Sequence, residues 1–255
     1  MRADKIWAST QGLPECFDAL ERDDEAELER LLSDDAEQVR RVDAERRTAL
    51  HWACSMRPKL VSVLLRHGAD PAAVDEAGMN CVHLASCASA DSTALCALLE
   101  HLRHQPPELL HQVLTAVTRS GATPLILAAS KGNAVNVKQL LDADAASDLN
   151  AADRHGNTAL MRATSAGHAD VVRLLLQRGA AVNTAHPRTG QTAVHIACAE
   201  QRADLVACLV QRGGRECLLV SDADQRTPLD WASPAIRRQY ALGESDHASA
   251  MREDA

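Results

Sequence analysis

A short phrase recurs six times along the chain, and it limits the possible folds more than any other feature. It reads Thr48-Ala49-Leu50-His51, Asn80-Cys81-Val82-His83, Thr123-Pro124-Leu125-Ile126, Thr158-Ala159-Leu160-Met161, Thr192-Ala193-Val194-His195 and Thr227-Pro228-Leu229-Asp230. Successive copies start about 32, 43, 35, 34 and 35 residues apart. Self-similarity at such a period points to stacked supersecondary units, none of which can bury its apolar face alone. The phrase itself predicts a helix start. A Thr hydroxyl can accept from the exposed N–H groups of a first turn, and Pro fits where no intrahelical donor is required.

Small residues follow each start, as in Ala53-Cys54, Ala128-Ala129-Ser130, Ala163-Thr164-Ser165 and Ala197-Cys198-Ala199, so an inner helix can lie close to its neighbours. Gly132 and Gly167 then stop that helix. A second helix is predicted from the apolar stripes Leu60-Val61-Val63-Leu64-Leu65, Val135-Val137-Leu140-Leu141, Val171-Val172-Leu174-Leu175-Leu176 and Leu205-Val206-Leu209-Val210. Gly68 and Gly179 end it, and turns such as Asp75-Glu76-Ala77-Gly78 and Asp153-Arg154-His155-Gly156 lead to the next Thr. Helix, helix and projecting hairpin at a period near 33 predict an all-α ankyrin-repeat solenoid.

The expected organisation is an N-terminal extension over 1–12, a single repeat domain over 13–242 and a disordered tail over 243–255. The domain comprises a capping helix pair at 13–42 and six repeats starting near 43, 75, 118, 153, 187 and 222. An insertion at about 102–117 carries Pro106-Pro107 and the apolar stretch Leu109-Leu110-Val113-Leu114, which reads as a lengthened second helix or an added short one. After the first phrase, Met56-Arg57-Pro58 lacks the stopping Gly.

Apolar residues make up 46% of the chain but aromatics only 2%, so Leu, Val and Ala must fill the interior. The formal charge of −8, with basic residues scattered among acidic ones, argues against nucleic acid as a partner. No segment approaches the roughly 20 apolar residues of a membrane helix. A soluble, monomeric, intracellular protein is expected, with none of the eight cysteines in a CxxC pair and their side chains reduced, small and buried.

Chemistry is not expected. His101, His104 and His111 match no closed metal-ligand set, and His51, His83 and His195 recur at one repeat position, which suits a structural hydrogen bond better than a catalytic base. No phosphate loop, G-x-S-x-G elbow or H-E-x-x-H helix occurs. The reading is of a non-enzyme with no catalytic residue, metal or cofactor.

The positions that such a stack leaves free are the hairpin tips and the exposed side of the inner helices, represented by Ser55, Lys131, Ser165 and Glu200. Acidic residues dominate the first two tips beside Arg46 and Arg47, and Arg119, Lys131, Arg154 and Arg188 make the middle basic. Glu45, Arg47, Glu76, Met79, Arg119, Lys131, Arg154, His155, Arg188 and Arg226 are therefore the candidate partner-binding residues.

The run Arg47-Thr48-Ala49-Leu50-His51-Trp52-Ala53-Cys54-Ser55 resembles the first full repeat of the gankyrin family, ankyrin-repeat assembly chaperones of the 26S proteasome regulatory particle. Ala128-Ala129-Ser130-Lys131, Thr158-Ala159-Leu160-Met161-Arg162-Ala163 and Ile196-Ala197-Cys198-Ala199-Glu200 are similar as well, and the likeness spans roughly residues 13 to 242. It implies binding of the C-terminal domain of a proteasome base ATPase subunit along the concave face, in the cytoplasm and nucleus. Charge pairs would come from Glu45, Arg47, Glu76 and Lys131, with Met79 where the family usually has a large aromatic. The family's L-x-C-x-E stretch becomes Ile196-x-Cys198-x-Glu200 here. The alternative is a general ankyrin adaptor or scaffold in signalling or transcriptional regulation.

Overall fold

A computed structural model describes residues 15–88, 92–143 and 148–240. The chain divides into two compact units, Met1–Ala159 and Leu160–Ala255. The extension expected at 1–12 and the disordered tail expected at 243–255 lie outside the described residues. None of the described helices is long and apolar enough to cross a membrane.

The first unit begins with α1 (Glu15–Arg22) and α2 (Glu25–Asp34), the latter capped by Asp24, whose carboxylate accepts from Glu27 N–H at 3.0 Å. Helix pairs follow: α3 (Ala49–Met56) with α4 (Val61–Arg66), α5 (Cys81–Cys87) with α6 (Thr93–Arg103), and α8 (Pro124–Lys131) with α9 (Ala134–Ala143). Between α6 and α8 the insertion forms the added short helix, α7 (Pro107–Thr115), with Pro107 at its first position. The second unit holds nearly all of α10 (Ala159–Ala166), then α11 (Ala169–Gln177), α12 (Ala193–Ala199), α13 (Ala203–Gly213), the short α14 (Pro228–Trp231) and α15 (Pro234–Tyr240).

All six phrases open a helix, at Ala49, Cys81, Pro124, Ala159, Ala193 and Pro228. The small residues behind them, Ala53, Cys54, Ala85, Ala128, Ala129, Ala163, Ala197 and Cys198, are all buried. Leu64, Leu95, Leu98, Leu102 and Val137 fill the first unit and Val171, Leu175, Leu205 and Leu209 the second. Burying one such side chain is worth roughly 1.5–3 kcal/mol, so with few aromatics the stack rests on many modest contributions.

Gly132 ends α8 in the left-handed conformation, φ 75°. The ends of α1 and α5 are instead closed by side chains from further along the chain. Arg57 donates to the carbonyls of Leu20 (3.1 Å) and Glu21 (2.8 Å) at the end of α1. Behind α5, Asn136, fully buried, donates to Ala85 O at 3.1 Å, and Asn133 to Ala88 O at 2.6 Å. Orphan carbonyls of a last turn need such donors.

Asn80 breaks the Thr rule for a reason the fold supplies. Its Oδ1 accepts from His83 N–H at 3.0 Å, as a capping Thr would, while its Nδ2 donates to Val113 O in the inserted helix at 3.0 Å. A hydroxyl is too short for both tasks, so the added helix and the altered phrase belong together.

The projecting hairpins form no sheet among the described residues, and strand-like pairing there is confined to the isolated bridges Val42↔Thr48 and Ala152↔Thr158. One sequence expectation needs correction. Cys16, Cys54, Cys81, Cys198 and Cys217 are buried as expected, but Cys87 and Cys208 are half-buried and Cys96 is exposed. Cys96 lies on α6, whose buried stripe is Leu95, Leu98, Leu99 and Leu102. Burial pushes the thiols of Cys16 and Cys198 up to about 11, so both stay protonated at neutral pH.

Candidate partner-binding surface

Each hairpin is a compact loop held by the side chain at its first position. Asp43 Oδ1 accepts from Glu45 and Arg47 N–H at 2.9 and 2.8 Å, and Asp75 Oδ1 from Met79 N–H at 2.8 Å. Asp153 Oδ1 does the same for His155 and Asn157, and Asp222 Oδ1 for Asp224 and Arg226, all at 2.9 Å. Thr118 and His186 take over this role in the third and fifth hairpins, accepting from Ala122 and from Arg188 and Thr189. One position before each phrase's preceding residue the backbone turns left-handed, at Arg46, Gly78, Gly121, Gly156, Gly190 and Gln225.

Neighbouring tips are tied by their backbones. In the first unit Glu76 N–H donates to Glu45 O (2.9 Å), Arg119 N–H to Ala77 O (2.8 Å) and Arg154 N–H to Ser120 O (2.9 Å); in the second, Ala223 N–H donates to Thr189 O (2.9 Å). A Cβ on Gly121 would stand 2.7 Å from Arg154 N, so the close approach needs glycine. These bonds preorganise the side chains at the tips.

The recurring histidines brace the tips from beneath. His51 Nδ1 accepts from Thr48 N–H (3.1 Å) and its Nε2 reaches Met79 O (3.1 Å) in the next hairpin. His83 bridges Asn80 N–H (3.2 Å) to Ala122 O (3.2 Å), and His195 bridges Thr192 N–H (3.1 Å) to Arg226 O (3.1 Å). Burial lowers all three imidazole pKa values, that of His83 to about 4. Neutral at physiological pH, with both nitrogens engaged, they have no nitrogen left for proton transfer. The structural reading of their recurrence holds.

In the first unit the tips enclose a groove of about 500 Å³, lined by Glu45, Asp75, Glu76, Ala77, Met79, Thr118, Arg119, Ser120 and Leu127. Four of the ten candidate residues therefore meet there: Glu45, Glu76, Met79 and Arg119. Met79 and Leu127 are half-buried and give it an apolar floor; Glu45, Glu76 and Arg119 are exposed. Glu76 and Arg119 form no ion pair among the described residues.

The remaining candidates lie elsewhere. Lys131 is exposed at the end of α8, and Arg154 and His155 are exposed on the fourth tip. Arg188 is exposed in the second unit. Arg47 is only 26% exposed: it stacks on the Trp52 ring at 4.6 Å, pairs with Glu45 and lies 3.6 Å from Asp43 Oδ2. Arg226 repeats the arrangement, 4.1 Å from the Trp231 ring centroid, 3.4 Å from Asp222 Oδ2 and paired with Asp224. Both guanidiniums are largely committed to their own repeats. Ser55, Ser165 and Glu200 are exposed, whereas in the Ile196-x-Cys198-x-Glu200 stretch Cys198 is buried and Ile196 half-buried.

Family profiles agree with this architecture. Residues 82–186 match one described as ankyrin repeats (3 copies), residues 45–76 one described as ankyrin repeat, and residues 165–210 one described as ankyrin repeats (many copies). This is an ankyrin-repeat protein. Among solved structures, the ankyrin-repeat domain of Bcl-3, a unique member of the IkappaB protein family, is similar at a TM-score of 0.79 and 28% identity, over 91% of this chain and 99% of that one. The ankyrin-repeat protein EF0377 is similar at 0.68 and 26% identity over 79% of this chain and 99% of its own. The ankyrin-repeat domain of human ASB11, at 0.69 and 22% identity over 90% and 97%, supports the fold alone. Ankyrin repeats mediate protein–protein interaction, the role that this fold supports.

Asp75, Ala77, Thr118, Ser120 and Leu127 also line the groove but are not among the candidate residues. The first four could have been found from their place in the recurring loop, whereas Leu127 carries no signal, since it reads like any apolar residue of an inner helix.

Proposed function

We propose that this ankyrin-repeat protein is a non-catalytic scaffold that holds a partner protein at the hairpin tips of its first unit. One observation carries the reading: Glu76 and Arg119, opposite charges unused by the fold, share a preorganised groove with Met79. Lys131, Arg154 and His155 would extend the contact within the first unit; in the second unit, taken by itself, Arg188 and the part of the Arg226 charge that its own repeat leaves exposed would be partner-binding groups.

The more specific form of the proposal is a chaperone for assembly of the proteasome regulatory particle, acting in the cytoplasm and nucleus. Its support is the run 47–55 and its likeness to the gankyrin family. The partner would then be the C-terminal domain of a base ATPase subunit. Purified C-terminal domains of the base ATPases, titrated by calorimetry against this protein and a Glu76→Lys/Arg119→Glu variant, test it. Binding of one domain that the variant loses supports the chaperone. If no domain binds while a different protein from cell extract is held in a manner the variant abolishes, the general adaptor stands instead.

A further inference from the structure

The groove is unequal in charge. Three carboxylates, Glu45, Asp75 and Glu76, line it, and Arg119 is the one cation among its described lining residues. Two of the carboxylates are partly occupied: Glu45 pairs with Arg47, and Asp75 Oδ1 accepts from Met79 N–H at 2.8 Å. Glu76 is exposed and uncommitted. Beneath these groups lie the Met79 thioether and Leu127, half-buried side chains that neither fill the space nor close it. Methionine adapts its shape to an incoming apolar group.

We infer that the groove receives a short segment of another protein that presents a basic residue next to a large apolar one. The basic group lies against Glu76, the apolar side chain rests on Met79 and Leu127, and Arg119 at the opposite wall takes a carboxylate or carbonyl of the same segment. This rests on reading the groove as the contact surface and adds the chemistry of what it accepts. An acidic segment would meet an excess of like charge, which lowers both association rate and affinity. The tethered backbone matters too: the Glu76 N–H to Glu45 O and Arg119 N–H to Ala77 O bonds hold the two walls in place before anything binds.

Methionine methyl resonances report this directly. The full chain, labelled with ¹³C at its methionine methyls, is titrated with the peptide acetyl-Gly-Arg-Leu-Arg-Phe-Gly-amide and with its counterpart carrying Glu for both Arg. The expected result is a shift of the Met79 methyl with the basic peptide alone, weakening as salt is raised. Met161, 1% exposed, is the internal control and stays in place. Glu76→Lys should weaken the apparent affinity about tenfold, and Arg119→Ala should weaken it by a smaller factor through the lost contact to the segment's carbonyl, with helix content unchanged. A shift with the acidic peptide, or equally with both, overturns the inference while leaving the groove as a contact surface. No Met79 shift with either peptide also overturns it. Partner capture by a Glu76→Ala/Met79→Ala variant then judges the surface itself: undiminished capture means the groove is not where the partner binds.

Discussion

The hairpins at 43–47 and 222–226 solve the same backbone problem as those at 75–79, 118–122 and 153–157, and they solve it by different means. All five turn left-handed one residue before their end. The middle three place Gly78, Gly121 and Gly156 there, whereas the first and last place Arg46 and Gln225, at φ 60° in each case. A residue with a Cβ in that conformation costs roughly 1–2 kcal/mol. Among the described residues, those two hairpins alone are clamped by a tryptophan. Trp52 Nε1 donates to Asp43 Oδ2 at 2.9 Å and Trp231 Nε1 to Asp222 Oδ2 at 3.1 Å, with Arg47 and Arg226 laid over the rings. The carboxylate that holds the loop is thus itself held, and the clamp offsets the strain. Basic residues near hairpin tips therefore differ in availability: Arg47 is spent on the clamp, whereas Arg119, beside a glycine turn, forms no ion pair among the described residues.

The largest test removes the clamp. Trp52→Ala should destabilise the protein by roughly 3–5 kcal/mol in urea unfolding, through lost packing and a loosened Asp43. A loss under about 1 kcal/mol would show that the ring does not secure the hairpin.

Acid should act nearly as strongly, through the buried imidazoles. His83 has its pKa lowered by burial to about 4, against about 6.5 in the unfolded chain, so on acidification the unfolded state takes up the proton first. Stability from this group is complete above about pH 6.5 and is lost as pH falls towards 4, by on the order of 3 kcal/mol in full. His51 and His195, also lowered by burial, add in the same direction. Denaturation followed across this range should show the decline, and His83→Gln should flatten it.

Exchanging the turn residues sharpens the contrast further. Gly121→Ala should cost about 1–2 kcal/mol, because the left-handed turn and Arg154 N at 2.7 Å both oppose a Cβ. Arg46→Gly should stay within about 1 kcal/mol of the wild type, since relieved strain and added unfolded-state entropy oppose each other. Equal losses at the two positions would mean that glycine is not what separates the two kinds of hairpin. The smallest effect belongs to Arg119→Glu, which should leave the melting temperature nearly unchanged, within about 0.5 kcal/mol, because the fold does not use that side chain.

Much of the architecture was legible along the chain because its causes are local. A Thr, Asn or Pro at a helix start acts on N–H groups within three residues, and Gly132 acts on its own φ, so the six helix starts and the first loop residues could be read in order. The inserted helix was legible as one of two options, since Pro106-Pro107 forbids an uninterrupted helix without saying which side of it remains helical. Of the candidate surface, Glu45, Glu76, Met79 and Arg119 were legible as tip residues. Their meeting in one groove was not, because that depends on bonds between loops some 30 to 40 residues apart in sequence, Glu76 to Glu45 and Arg119 to Ala77.

By itself, then, the sequence determined the repeat, its helix starts and the kinds of residue at each tip, since these follow from short-range sterics and hydrogen bonding. Only the tertiary structure decided which charges stay free. Arg47 and Arg119 look alike in the sequence, and what separates them is a tryptophan ring and an aspartate brought to one of them by packing. The same holds for Asn133 and Asn136, whose donors close a helix that ended about 45 residues earlier, a distance over which no local pattern carries information.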